Sequence, residues 1–464
     1  MKVCLGDTGA TACAPLADDT IAAVATAIAP GEGSVAIVRL SGPEAEAIGR
    51  RVFSAPGAQV WDSHRVLYGH VCDPVSGERI DEALLLLMRQ PRSFTRETVV
   101  ELHCHGGLIC VQRVLELVLA CGARRALPGE FSQRAFLNGR LDLTQAEAVS
   151  ELVTARSRRA AQLAMAGLDG GLQERITALR ERLLDQLAEL EARVDFEEDL
   201  PPLNAEAVAL ELAAVRDALQ QLVADGQRGQ VLREGLKVAI VGRPNVGKSS
   251  LLNLLSRTDR AIVTDLPGTT RDLVESDLVL QGVPLTLLDT AGIRLTSDRV
   301  EQLGIERSRA ALLSADVVLL LFDLSAGWSE ADAQLQALVP ADVPLLLVGN
   351  KADQAVAASS SMAEVCISAL TGDGQQELET LLLARCGHGD VQGLQVALNR
   401  RQQDLAVAAA SSLQAALEAA VQQLPWDFWT IDLRSAVRAL GEITGAEVSE
   451  AVLDRVFSRF CIGK

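Results

Sequence analysis

Gly242-Arg243-Pro244-Asn245-Val246-Gly247-Lys248-Ser249-Ser250 is the stretch on which the reading of this chain turns. The apolar run Leu236 to Val241 before it predicts a buried parallel strand, and Leu251-Leu252-Asn253-Leu254-Leu255 after it predicts a helix. Strand, glycine-rich loop ending in Gly-Lys-Ser, then helix is the context a phosphate-binding loop requires. Glycines let the backbone curl so that successive N–H groups point inward, and the helix N-terminus adds partial positive charge. Lys248 is placed to reach the β- and γ-phosphates, and the Ser249 hydroxyl to ligate Mg²⁺. A glycine turn ahead of an ordinary helix is the plain alternative on this stretch alone.

Four further elements follow in order. Asp289-Thr290-Ala291-Gly292 closes the apolar run Val283 to Leu288 and so sits at a strand's C-terminal end; Asp289 is placed to hold Mg²⁺ through water and the Gly292 N–H to touch the γ-phosphate. Asn350-Lys351-Ala352-Asp353 follows the run Val343 to Val348. The Asp353 carboxylate suits the two donors on guanine's edge, a pair adenine lacks. Ser368-Ala369-Leu370 is placed to offer backbone N–H to the guanine oxygen. Thr264-Asp265-Leu266-Pro267-Gly268-Thr269-Thr270 lies where a switch loop with its Mg²⁺ threonine belongs, the threonine being Thr270. The order predicts a Ras-like P-loop GTPase domain over 234–390.

The whole chain has 464 residues, 48% of them apolar, and a net charge of −18. That length predicts several domains with well-filled cores. The acidic balance argues against a generic nucleic-acid binder, which is basic, while leaving room for a local basic patch. Nine cysteines without a Cys-x-x-Cys pair suggest neither a zinc site nor a disulfide framework, and a reducing cytosol fits best. Residues 1–18 carry no arginine and no long apolar core, so no targeting segment is evident, and they read as a disordered extension. No apolar run approaches the ~20 residues of a membrane span.

Residues 19–137 read as a mixed α/β domain, with strands over Val35–Leu40, Ala83–Met88 and Thr98–Leu102 and helices over Pro43–Phe53 and Ile109–Ala120. His103-Cys104-His105 puts two histidines on one face of a strand, either a metal pair or residues of structural and ligand-lining roles. Arg39 is either an edge-exposed charge or a buried anion-binding group. Leu172, Ile176, Leu179, Leu183, Leu187, Leu190 and Val194 form one apolar stripe on a long helix. A second helix spans Ala205–Leu232, and more helices occupy 391–464. The simplest architecture is a helical domain, 138–233 and 391–464, split by the inserted GTPase domain, whose termini lie close together.

Several blocks resemble the MnmE (TrmE) family of tRNA modification GTPases. They are Val38-Arg39-Leu40-Ser41-Gly42, Glu101-Leu102-His103-Cys104-His105-Gly106-Gly107, the run Pro128 to Leu143, and the terminal Cys461-Ile462-Gly463-Lys464. The resemblance covers nearly everything after residue 18. It implies an N-terminal folate-binding domain that mediates homodimerisation, a partnership with an MnmG (GidA)-type flavoprotein, and tRNA as substrate. Together such proteins install an aminomethyl-type group on carbon 5 of the wobble uridine, the one-carbon unit coming from a 5-formyl- or methylene-tetrahydrofolate. Folate contacts fall on Arg39, Glu101, Arg140 and Lys464; position 140 is often lysine in the family, and arginine here keeps the charge. Cys461 is either an inert filler or a thiol made reactive with the help of Lys464.

The position after Asp-Thr-Ala-Gly, where Ras-like enzymes usually carry a water-orienting glutamine, is Ile293. The resemblance implies a potassium ion in the place of an arginine finger, held by Asn245, Thr264, Leu266 and Thr269, with Glu301 orienting the water; a solvated helix charge is the plainer reading of Glu301. Two other functions compete. A regulatory or ribosome-assembly GTPase switch leaves the N-terminal block and Cys461 unexplained. A plain folate aminomethyltransferase leaves the GTPase domain idle.

Overall fold

The computed structural model describes residues 19–28, 33–196, 203–258, 275–289, 312–354, 361–386 and 397–463. The chain divides into two compact units, Met1–Ala146 with Val448–Lys464, and Glu147–Glu447.

The first unit is built on a seven-stranded sheet. Its strands are β1 (Ile21–Val24), β2 (Val35–Ser41), β3 (Phe53–Ser54), β4 (Arg65–Cys72), β5 (Arg79–Met88), β6 (Val99–His105) and β7 (Arg124–Arg125), in the spatial order β3-β4-β5-β6-β2-β1-β7. Successive strand residues face opposite sides. On one side Ala36, Val38 and Leu40 of β2 join Leu85 and Leu87 of β5 and Val100, Leu102 and Cys104 of β6. Helices α1 (Ala45–Val52) and α2 (Leu108–Ala120) cover that side with Ile48, Val52, Val111, Val114 and Val118. The opposite face carries the chemistry. Arg39 of β2 stands opposite Glu101 of β6, which stands opposite Leu86 of β5. Because β2 lies between β1 and β6, Arg39 is not on an edge strand, which removes one of its two readings. Strand β4 was not apparent in the sequence, since Val66 and Tyr68 are apolar but exposed and blur its alternation.

Helix α3 (Glu130–Leu137) closes this side, and α4 (Leu143–Thr154) leads into the second unit through α5 (Arg158–Leu168). The apolar stripe is one helix, α6 (Gly171–Phe196), and the next is α7 (Ala205–Glu234). From α7 the chain enters β8 (Leu236–Gly242), then α8 (Lys248–Thr258), β9 (Glu275–Leu280), β10 (Val283–Asp289), β11 (Val317–Asp323), α9 (Glu330–Ala337), β12 (Leu345–Asn350), β13 (Val365–Cys366) and α10 (Gln375–Arg385). The six strands lie in the order β13-β12-β11-β8-β10-β9, parallel except for β9. The chain then leaves through α11 (Arg400–Val421) and α12 (Trp426–Thr444). Residues from before and after the inserted sheet share one core: Ile176, Leu183 and Leu190 of α6, Leu212 and Leu219 of α7, Ala409 and Leu413 of α11, Leu433 and Leu440 of α12. The split helical domain with an inserted Ras-like P-loop domain is therefore observed.

One helix bears on the expectation that no apolar run approaches span length. By length and composition α11, with 22 residues and a mean hydropathy of 1.2 in its most apolar stretch, is apolar enough to cross a membrane. Here its Ala406, Ala409, Leu413 and Ala416 lie in the helical core.

A polar cluster ties the entry to the exit of the inserted domain. Arg233, at the end of α7, reaches Glu151 of α4 at 2.8 Å and donates to the Ala397 carbonyl at 2.7 Å. Arg401 of α11 grips both oxygens of Glu147, at 2.7 and 2.8 Å. The last helix, α13 (Glu450–Phe457), belongs to the first unit, where Leu453, Phe457 and Phe460 pack on Leu143 and Ala146. Its aromatic residues thus meet α4, the first helix of the stretch 138–233.

Candidate functional sites

The first site forms where the order of the parallel sheet reverses. From β8 the chain steps to β10 on one side and β11 on the other, and loops at such a switch point splay apart to leave a crevice. The loop 242–248, the end of β10 at Asp289, Asp323 at the end of β11 and Asn350 at the end of β12 all open onto it.

The phosphate loop is shaped by close approach. A Cβ at Gly242 would stand 2.5 Å from the Leu321 carbonyl oxygen, and one at Gly247, whose φ is 100°, would collide with Asn350 Nδ2. Asn245 itself has φ of 64°, in the left-handed region asparagine tolerates, with an exposed side chain. Val246 is buried beneath the loop as its apolar anchor. Lys248 donates from Nζ to the Gly242 and Arg243 carbonyls at 2.7 and 2.9 Å, which holds the ammonium at the loop's mouth. Ser249 and Ser250, in the first turn of α8, are exposed. Arg243 turns away to pair with the fully buried Asp332 of α9 at 2.8 Å and so anchors the loop from outside.

Asn350 joins three of the loops. Its Nδ2 donates to the Val246 carbonyl at 2.7 Å, and its Oδ1 accepts from the Ala369 N–H at 3.0 Å. The Ser368 hydroxyl donates to Asp353 Oδ1 at 2.6 Å, orienting an exposed carboxylate. Lys351 extends to Asp323 Oδ2 at 2.7 Å. Burial works to raise the Asp323 carboxyl, but Lys351 and the Ser325 hydroxyl and N–H outweigh it and hold the group below the usual range. Asp323 and Asp332 were missed in the sequence; Asp323 carried a signal, a carboxylate at the end of an apolar strand run. Of the N–H groups offered to guanine, Ser368 already donates to the Asp373 carbonyl and Ala369 to Asn350, while Leu370 stands 81% exposed at the crevice rim. Thr264, Asp265, Leu266, Pro267, Gly268, Thr269, Thr270, Thr290, Ala291, Gly292, Ile293 and Glu301 lie outside the described residues, as does the Asp289 side chain.

The second site is a cavity of about 560 Å³ on the open face of the first unit's sheet, within the size range of small-molecule sites. Arg39, Glu101 and Arg140, from three separate stretches, all line it. Arg39 Nε donates to Glu101 Oε1 at 2.8 Å, and His103 Nε2 lies 3.2 Å from the other carboxylate oxygen. Arg39 Nη1 also donates to the Gly463 carbonyl at 3.3 Å, which brings the chain's last described residue to the site. Two glycines permit that. Gly463 has φ of 93°, and a Cβ there would collide with the Val24 carbonyl oxygen; Gly129 has φ of 68°, and a Cβ there would stand 2.5 Å from the Phe457 carbonyl oxygen. The Gly129 N–H donates to the Cys461 carbonyl at 3.3 Å, and the Cys461 side chain is exposed. Lys464 lies outside the described residues. A cavity with a buried carboxylate, apolar walls and surrounding guanidinium groups fits a ligand that has hydrogen-bond donors at one end and negative charge at the other.

The His103-Cys104-His105 pair does not assemble a metal site. His103 turns to Glu101, His105 bonds Asp81 at 2.7 Å, and Cys104 is buried on the far face, where burial raises its thiol to about 11. Among the described residues no group of three metal-ligating side chains converges.

The strand order and the loops around the crevice define a guanine-nucleotide-binding GTPase of the P-loop class. The family described as MnmE helical domain matches residues 143–461, and the one described as GTP-binding protein TrmE N-terminus matches 20–140. The tRNA modification GTPase MnmE of Synechococcus sp. (strain RCC307) is 71% identical over 448 residues, covering 96% of this chain and 99% of that protein. Its counterpart in Prochlorococcus marinus (strain MIT 9303) is 68% identical over 455 residues, covering 96% and 98%. This chain belongs to the MnmE (TrmE) family of tRNA modification GTPases. Among solved structures, an Era variant of Aquifex aeolicus bound to GDP and AlF4⁻ is 28% identical over 39% of this chain and 67% of that one, at a TM-score of 0.29. The G domain of the T. maritima FeoB iron transporter is 27% identical over 32% and 98%, at a TM-score of 0.26.

Proposed function

We propose that this chain is the GTP-hydrolysing, folate-binding half of a two-protein enzyme. With an MnmG-type flavoprotein it adds an aminomethyl or carboxymethylaminomethyl group at carbon 5 of the wobble uridine of certain tRNAs in the cytoplasm. Membership of the tRNA modification GTPases supports the reaction class. The observation that carries the finer reading is the meeting of Arg39, Glu101 and Arg140 in one cavity, with the backbone of Gly463 on Arg39. A carboxylate at the floor suits the donor-bearing edge of a reduced pterin, and arginines suit the glutamyl carboxylates of a tetrahydrofolate.

In the nucleotide site the inward N–H groups of 245–250 cradle the phosphates, Lys248 takes the β- and γ-phosphates, and Asp353 reads guanine. Ser249 and Thr270 would hold Mg²⁺, and Asn245, Thr264, Leu266 and Thr269 would hold K⁺. When bound, these cations supply positive charge against the charge that develops on the transferring phosphoryl group. Glu301 orients the water, because Ile293 has no polar group to do so. Two GTPase domains of a homodimer pair to exclude solvent. A GTPase that only switches partners leaves the N-terminal cavity and Cys461 without a role.

Mass spectrometry of wobble uridines from a strain lacking the gene is the test. Loss of the aminomethyl-type modification, restored by the intact gene and not by an Arg39→Ala form, is the expected outcome. An unchanged nucleoside profile would overturn the reading.

A further inference from the structure

The second cavity carries more positive charge than its contacts neutralise. Arg39, Arg92, Arg96 and Arg140 line it, with Glu101 its one carboxylate, and Glu101 is committed to Arg39 at 2.8 Å. Among the described residues no carboxylate lies within ion-pair distance of Arg92, Arg96 or Arg140. Two of these cations are nonetheless fixed in place. Arg140 donates to the Ser93 carbonyl at 2.6 Å and lies 5.1 Å over the Phe94 ring. Arg96 donates to the Asn138 carbonyl at 3.0 Å, from a backbone with φ of 59°. A left-handed backbone is disfavoured for arginine, so the fold maintains this placement against a local preference. In a chain of net charge −18, three guanidinium groups converge on one concavity without counter-charge.

Depth sorts the lining. Glu101 is buried at the floor beside Leu86, Met88 and Val99, while Arg92 and Arg96 are exposed at the mouth. We propose that Arg92 and Arg96 form a cationic rim for a poly-γ-glutamate tail, so that the pocket selects polyglutamylated over monoglutamylated tetrahydrofolate. The inference rests on the folate reading above. A monoglutamate brings two carboxylates to three guanidinium groups, and each added γ-linked residue brings one more. The charge of the three, Arg140 included, is matched only by a longer tail. The same cations have an affinity for RNA phosphates, but the apolar walls and the buried carboxylate beneath them favour a ligand whose ring is sunk in the cavity and whose tail leaves past the rim.

The full chain is titrated calorimetrically with 5-formyltetrahydrofolate carrying one and three glutamates. The triglutamate is expected to bind about tenfold tighter, with the advantage shrinking as salt rises. The double variant Arg92→Gln, Arg96→Gln is expected to bring the triglutamate down to the monoglutamate affinity, with an unchanged circular dichroism spectrum. Since Arg96 also holds Asn138, the exposed single variant Arg92→Gln decides the matter if the double variant misfolds; it is expected to lose part of the advantage. Equal affinities in the native protein, with the monoglutamate binding, would overturn the rim and leave the folate reading standing. Binding of neither form would overturn both. A double variant that keeps its preference for triglutamate but loses tRNA on a filter would assign the rim to RNA and overturn the proposal.

Discussion

Asp353 is the side chain expected to set nucleotide choice. Its carboxylate is oriented by the Ser368 hydroxyl at 2.6 Å and stands exposed at the crevice. A carboxylate accepts from both guanine donors, whereas an amide offers one acceptor and one donor. Asp353→Asn is therefore expected to weaken GDP binding by about 10²-fold and to favour xanthine nucleotides, because two charge-assisted hydrogen bonds are lost. Competition between fluorescent GDP and XDP checks it, and unchanged preference would refute the assignment. Asp353 was legible in the sequence through its motif. The grip of Arg243 on Asp332 was not, since those residues lie far apart along the chain and only the α9 packing brings them to 2.8 Å.

At the scale of elements, two junctions make testable demands. Gly129 begins α3 with φ of 68° and lies against the turn that follows α13. Gly129→Ala meets both a left-handed backbone and a close carbonyl, so a loss of about 1–2 kcal/mol in stability is expected. Displacement of the Cys461–Gly463 backbone from Arg39 is expected to lower folate affinity while GTP binding persists. Calorimetry with both ligands separates the two, and a parallel loss of GTP binding would show general unfolding instead. The other junction is Glu151 against Arg233. Burial pushes the Glu151 carboxyl up to about 7, against the pull of Arg233 and with the help of Glu147's charge. A carboxyl raised above its unfolded value holds its proton more tightly in the native state. Its contribution is full below the unfolded value of 4.5 and is lost as pH rises through about 7. Glu151→Gln removes that titration. Its stability relative to the native chain is expected to rise by up to about 3 kcal/mol between about pH 5 and 8. Thermal unfolding across that range tests the slope, and a difference that does not vary with pH would refute it.

At the scale of the whole molecule, hydrolysis is expected to depend on potassium and on pairing of two GTPase domains. The motive is Asn245 in the phosphate loop together with Ile293 at the usual glutamine position. Asn245, Thr264, Leu266 and Thr269 would hold the larger potassium ion in preference to sodium, and the ion would supply positive charge at the phosphates. Two-fold pairing would shield the phosphates and strengthen the ion's effect. Asn245→Ala is expected to keep GTP binding and to lose about 10²-fold in potassium-stimulated turnover, in the range of one lost electrostatic contact. Rates in potassium, rubidium, ammonium and sodium at equal ionic strength, with light scattering in GDP and aluminium fluoride, provide the measurement. Equal rates in sodium and potassium would refute the mechanism and leave the GTPase class intact.

Local order was enough to establish the inserted P-loop domain, the long helices α6 and α7 and the alternation of β2 and β6. A phosphate loop is one contiguous stretch, and helical and strand periods repeat within a dozen residues, so each can be read without knowing what lies across from it. The split helical domain followed from the same patterns. What needed the tertiary structure were the contacts across long separations. The position of β2 inside its sheet took Arg39 off the edge, and the packing of α13 on Leu143 placed the C-terminal segment in the first unit. The cavity that gathers Arg92 and Arg96 beside Arg39 and Arg140 exists only when the sheet is assembled. Convergence of charge is a property of space, and side chains from separate strands carry no mark of it along the chain.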